Sequence, residues 1–229
     1  MSNHFYKDNL YPLQDRVLKE VGASGTLFYL TGGTVLGRFL LNHRYSDDLD
    51  FFINSALDFT DQVNKVIEHL KLTFPDIRLN NRQDSFARYY IIENGLDLKI
   101  EFVNDVKYRV GELARSQSGV LYDTWDNILS NKITALSRTA PKDYVDALFL
   151  SLKYKFNWKT IIDHAKQKDA WINEINISQQ LMNFNIEKLD EVKFPEAFDA
   201  SKITKEYFEI LAKESLHGFD NSLYGRSIH

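Results

Sequence analysis

A chain of 229 residues, 44% of them hydrophobic, is long and apolar enough to fill a core, which excludes a disordered protein. The absence of cysteine excludes disulfide bonds, thiolate zinc sites and cysteine nucleophiles, so a metal would need carboxylate or histidine ligands. The formal net charge of -4 excludes a general electrostatic attraction to nucleic acid, although not a local basic patch.

The first half of the chain alternates between strand and helix patterns. Apolar residues at helical spacing predict helices at residues 5–22, 35–41 and 60–72. Apolar or alternating runs predict strands at residues 26–30, 49–53, 86–92 and 96–103. The last two strands form a predicted hairpin, because Asn94-Gly95 between them is a strong signal for a two-residue turn.

The second half of the chain, from about Asp123, is dominated by helical periodicity. Helices are predicted at residues 124–138, 141–154, 159–170 and 202–216. The polar segment Arg115–Gly119 has the composition of a linker, so we predict an α/β domain at residues 1–115 and a helical domain at residues 116–229. The predicted fold class is α+β, a mixed α/β sheet domain followed by a C-terminal helical bundle.

A glycine pair lies between a predicted strand and a predicted helix, in Thr31-Gly32-Gly33-Thr34. Glycines at such a place let backbone amides approach phosphate oxygens, and the N-terminus of the following helix adds its positive end. We therefore predict that Gly32 and Gly33 bind a triphosphate. A plain turn is the structural alternative.

Two aspartates, Asp48 and Asp50, are separated by one apolar residue. On a strand both carboxylates project from one face, while the residue between them faces the core. Such a pair holds divalent cations such as Mg²⁺, and a solvated strand edge is the alternative. If the strand at 96–103 is a neighbour, Glu101 is our candidate for a third carboxylate, with Lys99 or Asp97 nearer the rim.

These motifs carry a family resemblance. Gly32-Gly-Thr34 followed by Arg44-x-Ser-x-Asp-Leu-Asp50 resembles the signature of the DNA polymerase beta-like nucleotidyltransferase superfamily, and more closely that of the AbiEii/AbiGii toxin family. Later motifs of that family match Lys132-Ile-Thr-Ala-Leu-Ser-Arg138 and Lys142-Asp-Tyr-Val-Asp146. The resemblance covers about residues 26–165, and the joint spacing is more specific than any single motif.

The resemblance implies a role for each matching residue. Asp48 and Asp50 would be ligands of one or two magnesium ions, while Glu101, where aspartate is commoner, is a longer-armed ligand or no ligand. The nucleotide site would be lined by Gly32, Gly33, Thr34 and Ser46. Catalytic roles in the helical half would fall to Lys132, as a contact of the triphosphate, and to Asp143. The alternatives are a solvated charge for Lys132 and a helix cap for Asp143.

Arg44 precedes the two aspartates, and either phosphate binding or pairing with Asp47 fits its position. By resemblance, we expect a polymerase beta-like nucleotidyltransferase sheet domain, and a helical bundle that closes over a nucleoside triphosphate. We predict no membrane-spanning helix in either domain, because no apolar run approaches the ~20 residues of a membrane span. Residues 1–11 also lack the layout of a secretory signal, so we expect a cytoplasmic protein without a membrane partner.

The expected activity is transfer of a nucleoside monophosphate from a nucleoside triphosphate to an acceptor, either RNA such as tRNA or a protein. By resemblance, the biological context is a bacterial toxin–antitoxin or phage-defence system with a cognate antitoxin. Two alternatives remain at the level of sequence. One is a nucleotidyltransferase of small molecules, as in antibiotic modification, and the other is a catalytically silent nucleotide-binding regulatory module.

Overall fold

The structure, a computed structural model, describes residues 3–228. Internal contacts divide the chain into two compact units. Unit 1 comprises Met1–Val35 and Tyr45–Thr124, and unit 2 comprises Leu36–Arg44 and Trp125–His229. The predicted domains, 1–115 and 116–229, stay a prediction, and their outer ends at residues 1 and 229 lie outside the described residues.

Unit 1 is built on a β-sheet. Its strands are β1 (Tyr29–Thr31), β2 (Leu49–Asn54), β3 (Ile77–Gln83), β4 (Phe86–Glu93), β5 (Leu96–Asp105), β6 (Ala114–Arg115) and β7 (Leu121–Tyr122). Within residues 3–228 the strand order is β3-β4-β5-β2-β1-β7-β6. Strand β2 pairs antiparallel with β1 and parallel with β5, so it lies in the middle of the sheet.

The helical elements of unit 1 accompany this sheet. They are α1 (Asn3–Phe5), a π-helical turn (Tyr6–Leu10), α2 (Tyr11–Ala23), α3 (Gly32–Thr34) and α4 (Phe59–Lys71). Strands β2 and β5 bury alternate residues, as expected because successive side chains of a strand point to opposite faces of the sheet. The rings of Phe51 and Phe102 stack with their centroids 5.5 Å apart, and both are fully buried. One face of β2 and β5 is therefore core, and the other is free to carry polar side chains.

Unit 2 is helical. Its helices are α5 (Trp125–Ala135), α6 (Pro141–Lys153), α7 (Trp158–Lys166), α8 (Glu174–Met182) and α9 (Lys205–His217). Short 3-10 turns lie at Leu136–Arg138, Ile186–Glu191 and Ala200–Lys202. Trp158 is completely buried, and its indole nitrogen donates a hydrogen bond of 3.1 Å to Glu214, which joins α7 to α9.

The predicted fold class is confirmed, and so is the hairpin of β4 and β5, whose turn residues Asn94 and Gly95 both have positive φ. The first strand is shorter than predicted, since it begins at Tyr29 rather than at residue 26. The elements that were not predicted include strands β3, β6 and β7 and helix α8. No described helix is long and apolar enough to cross a membrane.

Candidate active site

Three acidic residues share the polar face of β2 and β5. The parallel pairing of these strands places Asp50 directly beside Glu101, while Leu49 pairs with Ile100. Leu49 and Ile100 are fully buried, so the alternation of side chains turns Asp50 and Glu101 to the opposite face. Asp48 immediately precedes β2, and its carboxylate contacts the same Lys99 ammonium as Glu101 does. The neighbouring strand on which the prediction for Glu101 depended is therefore present.

Lys99 lies among these acids. Its Nζ is 2.9 Å from Asp48 Oδ2 and 3.4 Å from Glu101 Oε1. Burial alone would lower the pKa of Lys99, but the hydrogen bond to Asp48 and the nearby carboxylates outweigh burial and raise that pKa. The ammonium is thus firmly protonated and held by two carboxylates.

Glu101 has a second cationic neighbour, Arg88, which pairs with it across β4 and β5. Arg88 Nε donates a hydrogen bond of 2.5 Å to Glu101 Oε1. Burial would raise the pKa of Glu101, yet the charges of Lys99 and Arg88 outweigh burial and keep the pKa below its ordinary value. Glu101 is therefore ionised at neutral pH.

The glycine turn approaches the acids closely. Gly32 follows β1 with φ of +68°, a left-handed conformation that favours glycine. A Cβ atom at Gly32 would lie 3.1 Å from Asp50 Oδ2. Of the two glycines, the sequence favoured Gly33 as the one that needs this conformation, but the structure assigns the left-handed backbone and the close approach to Gly32, while Gly33 is buried.

Thr34 and Ser46 were predicted to line the nucleotide site; Thr34 is the last residue of α3, and Ser46 lies in the loop that carries Asp48. Thr34 Oγ1 donates a hydrogen bond of 2.5 Å to the backbone oxygen of Asp48, and it lies 3.0 Å from Ser46 Oγ. These contacts fix the backbone from which the Asp48 carboxylate projects. Binding of a nucleotide by Thr34 and Ser46 stays a prediction.

Gln14 was missed as a residue of the site. It is completely buried, and its Nε2 donates to the backbone oxygens of Ser46 and Asp47 at 3.1 and 3.0 Å. The signal was a polar residue on the apolar face of α2, four positions after Leu10 and four before Leu18. A buried polar side chain needs hydrogen-bond partners, and here the partners are the loop that precedes Asp48.

A second group of charged residues lies within unit 2. We call it the buried ion cluster: His43, Arg44, Lys132, Asp143 and Asp146. Asp146 accepts hydrogen bonds from Arg44 at 2.6 and 2.7 Å, and His43 Nε2 lies 2.8 Å from the same carboxylate. Lys132 Nζ lies 2.7 Å from both Asp143 and Asp146. Burial would raise the pKa of Asp146, but the charges of Arg44 and Lys132 hold that pKa well below its ordinary value.

The contacts within the buried ion cluster bear on the alternatives that the sequence left open for Lys132, Asp143 and Arg44. Lys132 is only 8% exposed, so it is not a solvated helix charge. Asp143 binds Lys132 and Arg138 through its side chain, so its role is not that of a helix cap alone. Arg44 forms a two-point pair with Asp146. Contact of Lys132 or Arg44 with phosphate, and a catalytic role for Asp143, stay predictions.

The acids of unit 1 fit a divalent cation, although they do not enclose one in their present arrangement. Within residues 3–228, no group of three or more acidic or histidine side chains is arranged to hold a metal ion. The Lys99 ammonium instead acts as a stand-in cation between Asp48 and Glu101. Carboxylate oxygens are ligands that suit Mg²⁺, and two of these carboxylates already contact a positive charge.

Two solved structures share the fold. JHP933 from Helicobacter pylori is 20% identical, the match covers 91% of each chain, and the TM-score is 0.55. A protein of H. pylori proposed to be a nucleotidyltransferase is 18% identical, with a TM-score of 0.57, and the match covers 92% of this chain and 96% of the other. At these identities the likeness shows the fold alone. The sequence has no significant match among curated proteins.

A family model for the AbiEii nucleotidyl transferase toxin matches residues 16–222. The match includes both groups of charged residues and extends beyond the 26–165 over which the motifs were recognised. The predicted resemblance is thereby confirmed, and it now includes helices α8 and α9, for which no family signal was found. The chain belongs to the AbiEii family, the nucleotidyl transferase toxins of type IV toxin–antitoxin systems.

Proposed function

We propose that this protein is a metal-dependent nucleotidyltransferase that moves a nucleoside monophosphate from a nucleoside triphosphate to RNA, such as tRNA, or to a protein. One observation carries the proposal. The parallel register of β2 and β5 aligns Asp50 with Glu101, and Asp48 already shares a cation with Glu101. These three carboxylates lie on one partly exposed sheet face beside a glycine turn, an arrangement that suits a divalent cation bound to phosphates.

In the proposed reaction, an acceptor hydroxyl oxygen forms a bond to the α-phosphorus and loses its proton to solvent, the bond from the α-phosphorus to the bridging oxygen breaks, and pyrophosphate leaves. Bound Mg²⁺ would neutralise the phosphates and stabilise the charge that develops on the leaving group. Asp48, Asp50 and Glu101 would hold the cation. Thr34 and Gln14 would orient the backbone at Asp48, because both donate hydrogen bonds to that loop.

The proposal is tested by supplying the protein with each α-labelled nucleoside triphosphate, Mg²⁺, and either total RNA or total protein. We expect label in one acceptor fraction together with released pyrophosphate. The Asp50→Asn variant, purified in the same way, controls for contaminating enzymes. Label in neither fraction, from all four triphosphates, contradicts the proposal.

A second candidate is a nucleotide-binding module without turnover, because Lys99 and Arg88 already neutralise the acids. Such a module would bind triphosphate in calorimetry and release no pyrophosphate. The membership in a type IV family further leads us to propose a cognate antitoxin that opposes the activity.

Gly32→Ala is expected to impair cation binding, because the added methyl group would press against the Asp50 carboxylate at 3.1 Å. The left-handed backbone should also cost about 1–2 kcal/mol of unfolding free energy. Displacement of one ligand oxygen by a few tenths of an ångström should slow transfer on the order of tenfold. Urea denaturation and transfer assays measure the two effects separately.

Gly95→Ala is the matched control, since Gly95 also has a positive φ, of +77°, but a Cβ there meets nothing within 4 Å. We expect Gly95→Ala to lose a similar free energy of unfolding and to retain transfer. Equal transfer rates in the two variants would reduce Gly32 to a residue of a plain turn.

A further inference from the structure

The position of Lys99 is unusual for a residue beside proposed metal ligands. Lys99 and Glu101 lie two residues apart on one face of β5, and the ammonium reaches across to Asp48 on the neighbouring strand. The Lys99 side chain is only 24% exposed, so its charge is not fully screened by water. Lys99 therefore holds together two of the acids that the proposed function assigns to the metal.

Electrostatics explains why a cation belongs there. Carboxylates gathered on one face repel one another, and an uncompensated cluster would lower stability. A lysine suits a temporary role, because its ammonium is a compact charge on a flexible stem that can move away. Arg88 differs from Lys99 in its partner, because its hydrogen bond within the site goes to Glu101.

We propose that Lys99 competes with the divalent cation for Asp48 and Glu101: its ammonium holds these carboxylates in the cation-free protein and is displaced when the cation binds. This inference rests on the proposed function, because the same carboxylates are taken to bind the metal. The competition keeps the empty site neutralised and raises the cation concentration that is needed to fill it. Lys99 is then a positioning residue of the empty enzyme.

Lys99→Met tests the proposal, because it keeps the apolar stem and removes the charge. We expect this variant to bind Mn²⁺ more tightly on the order of tenfold, measured without nucleotide by calorimetry or by the electron spin resonance signal of free Mn²⁺. Lys99→Gln, a second neutral variant, should behave in the same way and guards against misfolding of the first. A lysine with a merely structural role would give unchanged or weaker binding.

A thermal melt gives an independent measurement. Without Mn²⁺, Lys99→Met should melt below the wild type, because the acids have lost their counter-charge, and saturating Mn²⁺ should close that gap. Lys71→Met, on the exposed end of α4, removes the same charge and controls for net charge. It should leave Mn²⁺ affinity unchanged.

The outcomes separate this inference from the proposed function. Tighter Mn²⁺ binding by Lys99→Met in a protein that transfers no nucleotide keeps the competition and overturns the proposed function. Transfer by the wild type, with unchanged or weaker Mn²⁺ binding in both Lys99 variants, overturns the competition alone. An equal gain of affinity in Lys71→Met, or no Mn²⁺ binding by any variant, also overturns it.

Discussion

Asp48→Asn and Asp50→Asn are each expected to slow nucleotide transfer on the order of 10³-fold, because each removes a charged ligand from the proposed cation site. Folding should be little affected. The pair of Asp48 with Lys99 is partly exposed, and such pairs contribute about 0–1 kcal/mol to stability. Removal of one charge also relieves repulsion among the remaining acids. Pyrophosphate release and a thermal melt of each variant test both parts of the expectation.

Asp97→Asn is the control for these two variants. Asp97 lies on the same face of β5, two residues before Lys99, but it is an exposed residue that pairs with Ile92 near the hairpin turn. The change removes the same charge and should leave transfer near the wild-type rate. Near-normal transfer by Asp48→Asn or Asp50→Asn, with Mg²⁺ present, would overturn the mechanism.

Local periodicity was enough to predict the strands that carry the acids. In residues 96–103, polar and apolar side chains alternate, and this fixes which ones share a face whatever the neighbouring strand is. The pairing of β5 with β2 depends on the whole sheet, so it could be stated only as a condition for Glu101. The approach of Lys99 to Asp48 follows from that pairing, so the sequence did not predict it.

Strand β3 was missed for a physical reason. It lies at the edge of the sheet, and after Ile77 all its residues are exposed, so the chain has no need of alternating apolar residues there. Helix α8 was missed although a signal was present. Asn173 caps its first turn by accepting from the amide of Asn176, and Ile177 and Leu181 repeat at a spacing of four on its buried face.

The buried ion cluster was predicted only in part. The family motif named Lys132, Asp143 and Asp146, and the spacing of three placed the two aspartates on one helix face. Arg44 and His43 lie about a hundred positions away in sequence, and nothing local indicates that Asp146 is their partner. Because two carboxylates enclose Lys132, its substitution is expected to lower the stability of the protein.

Lys132→Met is expected to lower the free energy of unfolding by about 3–5 kcal/mol, the usual result of breaking a buried ion pair from one side. Two carboxylates lose a partner at 2.7 Å, and Asp143 and Asp146 are both almost completely inaccessible to water. For a chain of this size, each kcal/mol shifts the melting temperature by about 2–4 °C. Urea denaturation followed by circular dichroism measures the loss directly.

Arg138→Met is the matched control, because Arg138 contacts the same Asp143 from the surface. The distance is 3.5 Å, and the Arg138 side chain is 69% exposed, so its removal should cost no more than about 1 kcal/mol. Equal stability of the two variants would mean that the buried pairs of Lys132 contribute little. If Lys132→Met is the less stable variant, unfolding alone would lower its total transfer rate. Its transfer rate must therefore be expressed per folded molecule, and only a loss of that rate indicates a contact between Lys132 and phosphate.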